Sequence, residues 1–447
     1  MAIPTLPGFI LARRSYATLP AFFLDVAARH GPLVRFRNPI GSMYFIDDPT
    51  LIEDVLVTKG ASYKKGRGTD RLSRLLGRGL LTAREPAHLA HRRLVQPAFH
   101  RKRIDACARV MVDATIARAS NWTAGETIDV NRETIALALE IVARALFGFD
   151  LTSDMARIGE ALDDALEAFP FAMLPFSELF DRLPVPPTLR LNRSRKTLDT
   201  IVYRMIAERR AAGSDGGDLL SMLLASRDDA GAGFDDEGIR DEALTILIAG
   251  HETTANAIAW AFYLLGRHPG VEAKLHEHLD ATLGDRDPTV DDVPRLDYVR
   301  AVLAETMRLY PPAWITARRA LRPTMLGPQA VATNEIVIVS QYVTHRNPRY
   351  WPEPERFIPE RFLGAEPTAK FAYFPFGGGN RNCIGERFAW LEGILAIATI
   401  ARRFRLEPLD ATPVLTRPFV TLRPATAIRA RVVTRSRTSA RSRSEFV

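Results

Sequence analysis

The chain has 447 residues, 47% of them hydrophobic and 25% charged, with a formal net charge of +8 and a pI near 9.6. This composition excludes disorder as the main state, and a chain of this length buries a large core without covalent staples. Two cysteines, Cys107 and Cys383, exclude a disulfide framework, a four-cysteine zinc site and a four-cysteine iron–sulfur cluster, leaving a single metal ligand possible.

Residues 1–60 mix short helical and strand patterns, and Leu33–Ile46 predicts two strands around Asn38-Pro39. No basic stretch precedes an apolar run at the N-terminus, so no secretory signal is expected. No window approaches ~18 consecutive apolar residues, so no membrane helix is expected. With few cysteines, a cytoplasmic protein is the expectation. From about Pro86 to Arg210 the pattern is helical, with Ile135, Leu139, Val142 and Leu146 at helical spacing. Five prolines and several phenylalanines predict a break over Phe169–Pro187. Asp235 to Leu265 predicts one long helix, about 45 Å at 1.5 Å per residue. It is apolar on nearly all sides, as a helix through the middle of a core should be. Further helices are predicted near Val271–Leu283, Tyr298–Arg308 and Arg387–Phe404, with strand character over Val331–Tyr342 and an irregular stretch over Trp351–Phe362. No repeat or linker divides this core.

Of the 60 basic residues 53 are arginines, a bias that codon usage alone explains, although an acidic partner or nucleic acid also fits. Four arginines and one glutamate in Thr434–Val447 put +3 of the +8 in the tail. The tail is expected to be disordered.

Four motifs carry chemistry. Cys383 lies in Phe376-Gly-Gly-Gly-Asn-Arg-Asn-Cys-Ile-Gly385, just before a helix whose dipole stabilises a thiolate. Gly379 and Gly385 let the backbone pass close to a large flat ligand. On the loop alone, a buried structural cysteine is an equal reading; a phosphate loop is not, because no phosphate-binding glycine pattern fits. Ala249-Gly250-His251-Glu252-Thr253-Thr254 interrupts the long helix. Buried polar residues are expensive unless used. Thr253 can bond back to the carbonyl of Ala249, and Gly250 removes bulk beside it. A zinc HExxH site fails, since Ala255 stands where the second histidine belongs. A satisfied polar patch between helices stays open. Glu305-Thr-Met-Arg308 is an i,i+3 ion pair of a kind found three times in this chain, about the number chance predicts. Only its position before Leu309-Tyr-Pro-Pro312 and upstream of Phe357-Ile-Pro-Glu-Arg361-Phe362 selects it. His88 and Arg92 share a helix face suited to a carboxylate, or are simply a solvated basic face.

In this order and spacing the motifs resemble the cytochrome P450 family over roughly residues 5–433. The resemblance implies a mainly α fold with minor β: a single triangular prism of helices with small sheets. Haem b would lie between the long central helix and the helix that follows the cysteine. It implies a haem domain over residues 1–433 and a basic tail over 434–447. Cys383 would be the axial ligand of the haem iron, with N–H groups near Ile384 and Gly385 tuning the sulfur. Phe376 and Gly379 would shape the haem-binding loop. Glu252 and Thr253 would deliver protons, and Ala249 and Gly250 would flank the oxygen groove. His88, Arg92, Arg318 and Arg381 would hold the haem propionates. Glu305, Arg308 and Arg361 would form a buried structural triad. Leu75, Leu76, Phe169, Phe171, Phe176, Trp314, Ile315 and Phe419 fall in segments that line the family's substrate pocket. Cys107 matches no role and reads as filler.

The implied reaction is monooxygenation of a small hydrophobic molecule, such as a terpenoid, fatty acid or polyketide. Peroxide-driven or redox-neutral chemistry on the same fold, or a haem-binding sensor, are the alternatives. Electrons would come from a separate ferredoxin and ferredoxin reductase. An acidic partner of that kind suits Arg92, Arg93, Arg101, Lys102 and Arg103. A monomer is expected, with no membrane and no nucleic acid.

Overall fold

The apolar run after Asp235 becomes the axis of the molecule in the computed structural model, which describes residues 3–39, 41–174, 177–213, 217–227, 231, 233–364 and 369–435. This central helix, Asp236–Arg267, has 32 residues, about 48 Å at 1.5 Å per residue. Asp235 caps it by accepting the Gly238 N–H at 2.7 Å, and Asp236 and Glu237 follow at the positive end of the dipole. Ile258, Ala259, Trp260 and Ala261 are all buried, so consecutive residues face protein in every direction.

Helices Val130–Phe147, Asp297–Leu309 and Glu386–Arg403 pack directly on this axis. Asp129 caps the first of them through the Asn131 N–H at 3.1 Å, and Gly148 ends it in the left-handed region at φ 65°. Helices dominate and the sheets are small.

The predicted strands appear as Leu33–Asn38 and Gly41–Ile46, paired antiparallel. They join a six-stranded mixed sheet in the order Thr5–Pro7, Leu33–Asn38, Gly41–Ile46, Ile336–Val339, Thr316–Ala320, Tyr63–Lys65. Its register sets Lys65 opposite Arg318. A two-stranded ribbon, Thr416–Pro418 with Leu422–Pro424, reaches the central helix, where the Trp260 indole donates to the Leu422 carbonyl at 3.2 Å.

Three boundaries differ from the sequence reading. Helix Met155–Ala172 runs through Phe169 and Pro170, so the break starts at Met173. Burial of Ile158, Leu162, Ala165, Leu166 and Ala172 outweighs the one N–H bond that Pro170 lacks. Of the strand expected over Val331–Tyr342, Val331 ends strand Gln329–Val331 and only Ile336–Val339 forms a second, because Ser340 caps a short helix, Gln341–Thr344. The fold reaches two residues into the tail: Thr434 ends a strand and Arg435 pairs with Asp280 at 2.8 Å. Residues 436–447 lie outside the described residues, as does Phe176.

Candidate active site

The cysteine loop is built on close backbone approach. Gly379 has φ +67°, and a Cβ there would lie 2.0 Å from the Leu56 carbonyl oxygen. Glycine is therefore required by the seat of the loop on Asp54–Thr58. The Phe376 carbonyl accepts the Cys383 N–H at 3.0 Å. Arg92, from helix Ala87–Val95, clamps the loop from the other side, donating to Asn382 O at 2.9 Å and Asn382 Oδ1 at 2.7 Å. Gly385 then starts helix Glu386–Arg403.

The Cys383 side chain is accessible, yet burial pushes its thiol up to about 11, against the pull of the Gly385 N–H and Arg92. Accessible surface and a dry surrounding coexist when a side chain faces an internal hollow. The central helix shows the same signature. Ala249 is exposed and Thr253 half-buried, between the buried Leu244–Leu247 and Ala255–Leu265. Thr253 Oγ donates to the Ala249 carbonyl at 2.8 Å. Gly250 has a different reason: a Cβ there would meet Val142 Cγ2 at 3.2 Å, so the glycine serves the contact with helix Val130–Phe147.

Glu252 is buried and turned to the ribbon. It accepts from Thr421 Oγ and pairs with Arg423 Nε at 2.6 Å. Burial pushes its carboxyl up, but Arg423, Thr421 and His251 outweigh that and hold it below the usual range.

A cluster of cations lies apart from these residues. Among the described residues Arg318 donates only to Thr316 Oγ and the Ala317 carbonyl, and burial with Arg381 nearby pushes it down to about 10. Lys65, its cross-strand partner, donates to the Leu81 carbonyl at 2.6 Å. Burial, then Arg381 and Arg318, hold Lys65 well below the usual ammonium range. Among the described residues neither makes an ion pair with a carboxylate. Arg381 pairs with Glu85 at 3.0 Å and donates to the Ala83 carbonyl at 2.8 Å. His88 Nδ1 lies 2.9 Å from the same Glu85, and burial, then Arg381, push His88 down to about 4. One acid beside two half-buried cations that have no carboxylate partner among the described residues is unfavourable by itself and suits an added anionic group. The carboxylates of haem b meet that need, and the accessible Cys383 sulfur beside the Gly385 N–H meets the need of its iron. The residues present fit the group.

Glu305 and Arg308 are fully buried and pair through two bonds, 2.7 and 2.8 Å, with Arg361 Nε 3.4 Å from Glu305. Of the pocket candidates, Phe169, Phe171, Ile315 and Phe419 are half-buried. Leu75 and Leu76 belong to the packed core. Trp314 is wholly buried and donates its indole N–H to the Phe419 carbonyl at 3.0 Å. Helix Arg67–Leu76 is latched to the segment after Phe171: Arg67 pairs with Glu178 at 2.9 Å, and Arg71 and Arg74 meet Asp181 at 2.5 and 2.6 Å.

Sequence reasoning missed Lys65, Thr421 and Arg423. The usable signals were a rare lysine in an arginine-rich chain and an arginine flanked by Leu422 and Pro424 in a short strand.

The profile described as Cytochrome P450 matches residues 5–428. Cyclooctatin synthase of Streptomyces melanosporofaciens is 39% identical over 411 residues, 91% of this chain and 90% of the relative. Cyclooctat-9-en-7-ol 5-monooxygenase of the same organism is 39% identical over 88% of this chain and 86% of its own length. Pentalenene oxygenase of Streptomyces avermitilis is 36% identical, covering 88% and 89%. Agreement of that extent makes this chain a member of the cytochrome P450 family.

Proposed function

We propose that the protein is a monooxygenase that inserts one oxygen atom of O2 into a terpenoid. The observation that carries the site assignment is the accessible Cys383 in an otherwise enclosed setting, together with the exposed Ala249 and half-buried Thr253 on an otherwise buried helix. The terpenoid class rests on the names of the bacterial relatives, two of them an oxygenase and a monooxygenase of named terpenoids.

When bound, haem b supplies dioxygen activation, with two electrons and two protons consumed and one oxygen atom leaving as water. Cys383 would hold the iron through its sulfur, and the Gly385 N–H would temper that sulfur. Phe376, Ile384 and Gly379 shape that loop. Arg318, Arg381, His88 and Arg92 would hold the haem carboxylates, joined by Lys65, and Arg92 also secures the cysteine loop. Ala249 keeps the helix face beside the hollow free of bulk, and Gly250 behind it lets helix Val130–Phe147 pack close. Thr253 and Glu252 hold and move protons there. Phe169, Phe171, Ile315 and Phe419 offer an apolar lining, and the latch across Arg71 and Asp181 keeps water out. In this reading residues 1–433 form the haem domain.

Electrons come from a ferredoxin and its reductase. Arg93, Arg101, Lys102 and Arg103 are exposed, and helix Arg101–Ala106 packs on the cysteine helix, with Arg387 joined to Asp105 at 2.7 Å. A basic face there steers an acidic partner toward the sulfur side. Among the described residues no helix is long and apolar enough to cross a membrane. The same reading has the protein act as a monomer in the cytoplasm.

The test is a panel of cyclic terpenes and fatty acids screened by haem spin-state shift, followed by turnover under 18O2. A terpene that shifts the spectrum and gains one labelled oxygen is expected. A response to fatty acids alone, or product without label, contradicts the reading.

A further inference from the structure

Three consecutive charged residues, Arg240-Asp241-Glu242, stand in the first half of the central helix at 1%, 4% and 0% exposure. Charges so buried are costly unless each is well partnered. All three reach one segment, the end of helix Arg67–Leu76 and the loop after it. Arg240 Nη2 donates to the Leu75 carbonyl at 3.0 Å. Asp241 Oδ2 accepts the Arg78 N–H at 2.5 Å, and Glu242 Oε2 accepts the Leu80 N–H at 3.0 Å. The triplet also ties in two further helices. Arg240 Nε donates to Asp199 Oδ1, on helix Pro186–Ala212, at 2.6 Å, and His91 Nδ1, on helix Ala87–Val95, lies 2.7 Å from Glu242 Oε1. The loop sits tight on this seat: Gly77 has φ +66°, and a Cβ there would lie 2.0 Å from Asp241 Oδ1.

The next residues of the same loop meet the cation cluster. Lys65 donates to the Leu81 carbonyl at 2.6 Å, and Arg381 donates to the Ala83 carbonyl at 2.8 Å. Thr82 closes the turn between the two ends. Its Oγ donates to the Gly77 carbonyl at 2.7 Å, and the N–H groups of Thr82 and Ala83 donate to the Gly79 carbonyl at 2.9 and 2.8 Å. A turn with these internal bonds moves as one piece. Residues 77–83 therefore join acids of the central helix to the cations that suit an anionic group.

We infer that Glu242, supported by Asp241, is a positioning residue: it fixes the loop over residues 77–83, whose carbonyls set where Lys65 and Arg381 stand to receive the haem carboxylates. The inference rests on the haem-binding part of the proposed function. Lysine and arginine side chains have many rotamers, and a fixed acceptor at the tip removes most of them. Lys65 and Arg381 also repel each other, so without these carbonyls they move apart. Freeing the loop from Glu242 frees both acceptors together.

The test uses the purified holoenzyme and needs neither substrate nor turnover, so its failure is distinct from a failure of the monooxygenase reading. The first readout is hydrogen–deuterium exchange of the peptide over residues 77–86. Glu242→Ala should speed it at least tenfold. Glu242→Gln keeps an oxygen for the Leu80 N–H and should stay within twofold of the wild type. The second readout is haem transfer to apomyoglobin, which Glu242→Ala should speed about fivefold and Glu242→Gln less than twofold. A merely structural role would multiply with a change at Lys65, whereas a positioning role shares its effect. Lys65→Met added to Glu242→Ala should therefore change the transfer rate less than twofold, although Lys65→Met alone speeds it several-fold. If Glu242→Ala does not fold, Gly79→Ala takes its place. A Cβ at Gly79 would lie 2.3 Å from Thr245 Oγ and 2.5 Å from the Asp241 carbonyl oxygen, so it lifts the loop with every charge kept. Wild-type exchange or wild-type haem transfer in the folded variant overturns the inference. So does a Lys65→Met protein that keeps haem like the wild type, or a Lys65→Met effect that multiplies in full with the loop variant.

Discussion

Glu305→Gln removes one charge and keeps the shape of the side chain. In the native protein Glu305 and Arg308 are wholly buried, joined at 2.7 and 2.8 Å, and Glu305 also accepts the Ile358 N–H at 2.9 Å. Removing one member of a buried pair costs about 3–5 kcal/mol, because the other charge is stranded. Arg308 would not be fully stranded. It keeps the carbonyls of His345 at 2.9 Å, Pro354 at 2.7 Å and Arg356 at 3.0 Å. The loss should therefore lie at the low end, about 3 kcal/mol. A melting entropy of about 2.1 cal/mol/K per residue gives about 0.9 kcal/mol/K here, so the melting temperature should fall by about 3 °C. Urea titration of the holoprotein, followed by circular dichroism, measures the loss. Replacing both partners, as Glu305→Leu with Arg308→Met, should cost less than Glu305→Gln alone. A loss under about 1 kcal/mol in Glu305→Gln, or a double variant weaker than the single one, would refute the reasoning.

Lys65→Met should stabilise the apoprotein, since it removes a buried cation without a carboxylate partner, yet speed haem loss to apomyoglobin several-fold; unchanged retention would remove Lys65 from the propionate set. Both Glu392 oxygens are buried without a hydrogen-bond partner among the described residues, and burial raises this carboxyl well above its usual range. The folded chain thus keeps a proton that the unfolded chain releases above about pH 4.5, and wild-type stability falls as pH rises from there. The advantage of Glu392→Gln in urea titrations should grow from pH 5 to 8, and a pH-independent difference would contradict it. Asp181→Asn loosens the latch to Arg71 and Arg74. A half-exposed pair of about 1 kcal/mol predicts about fivefold faster dissociation of a hydrophobic ligand in stopped-flow spin-state traces, and an unchanged rate would show that the latch does not gate exit.

What was legible in the sequence was local. The glycine loop, the polar interruption at Ala249–Thr254 and the long apolar helix are set by neighbours within a few residues, and spacing alone exposes them. The reasons behind them were less legible. Gly379 is fixed by the Leu56 carbonyl and Gly250 by Val142, contacts with distant segments. Lys65 meets Arg318 only through sheet register, and Arg423 meets Glu252 only because a ribbon folds back on the central helix. Helix Met155–Ala172 passes through Pro170 because burial of one face outweighs a local breaker. Charge was legible as a sum and not as a distribution. Arginines at 308, 318, 381 and 423 are buried or half-buried in site and brace, whereas those at 93, 101 and 103 are exposed.

The reduced, CO-bound absorption spectrum of the wild-type protein and of Cys383→Ala tests thiolate ligation most directly. The wild type should show the red-shifted band of a thiolate-ligated haem, and Cys383→Ala should lose it. A wild type without that band, or a variant that keeps it, would contradict the assignment of Cys383 to the iron.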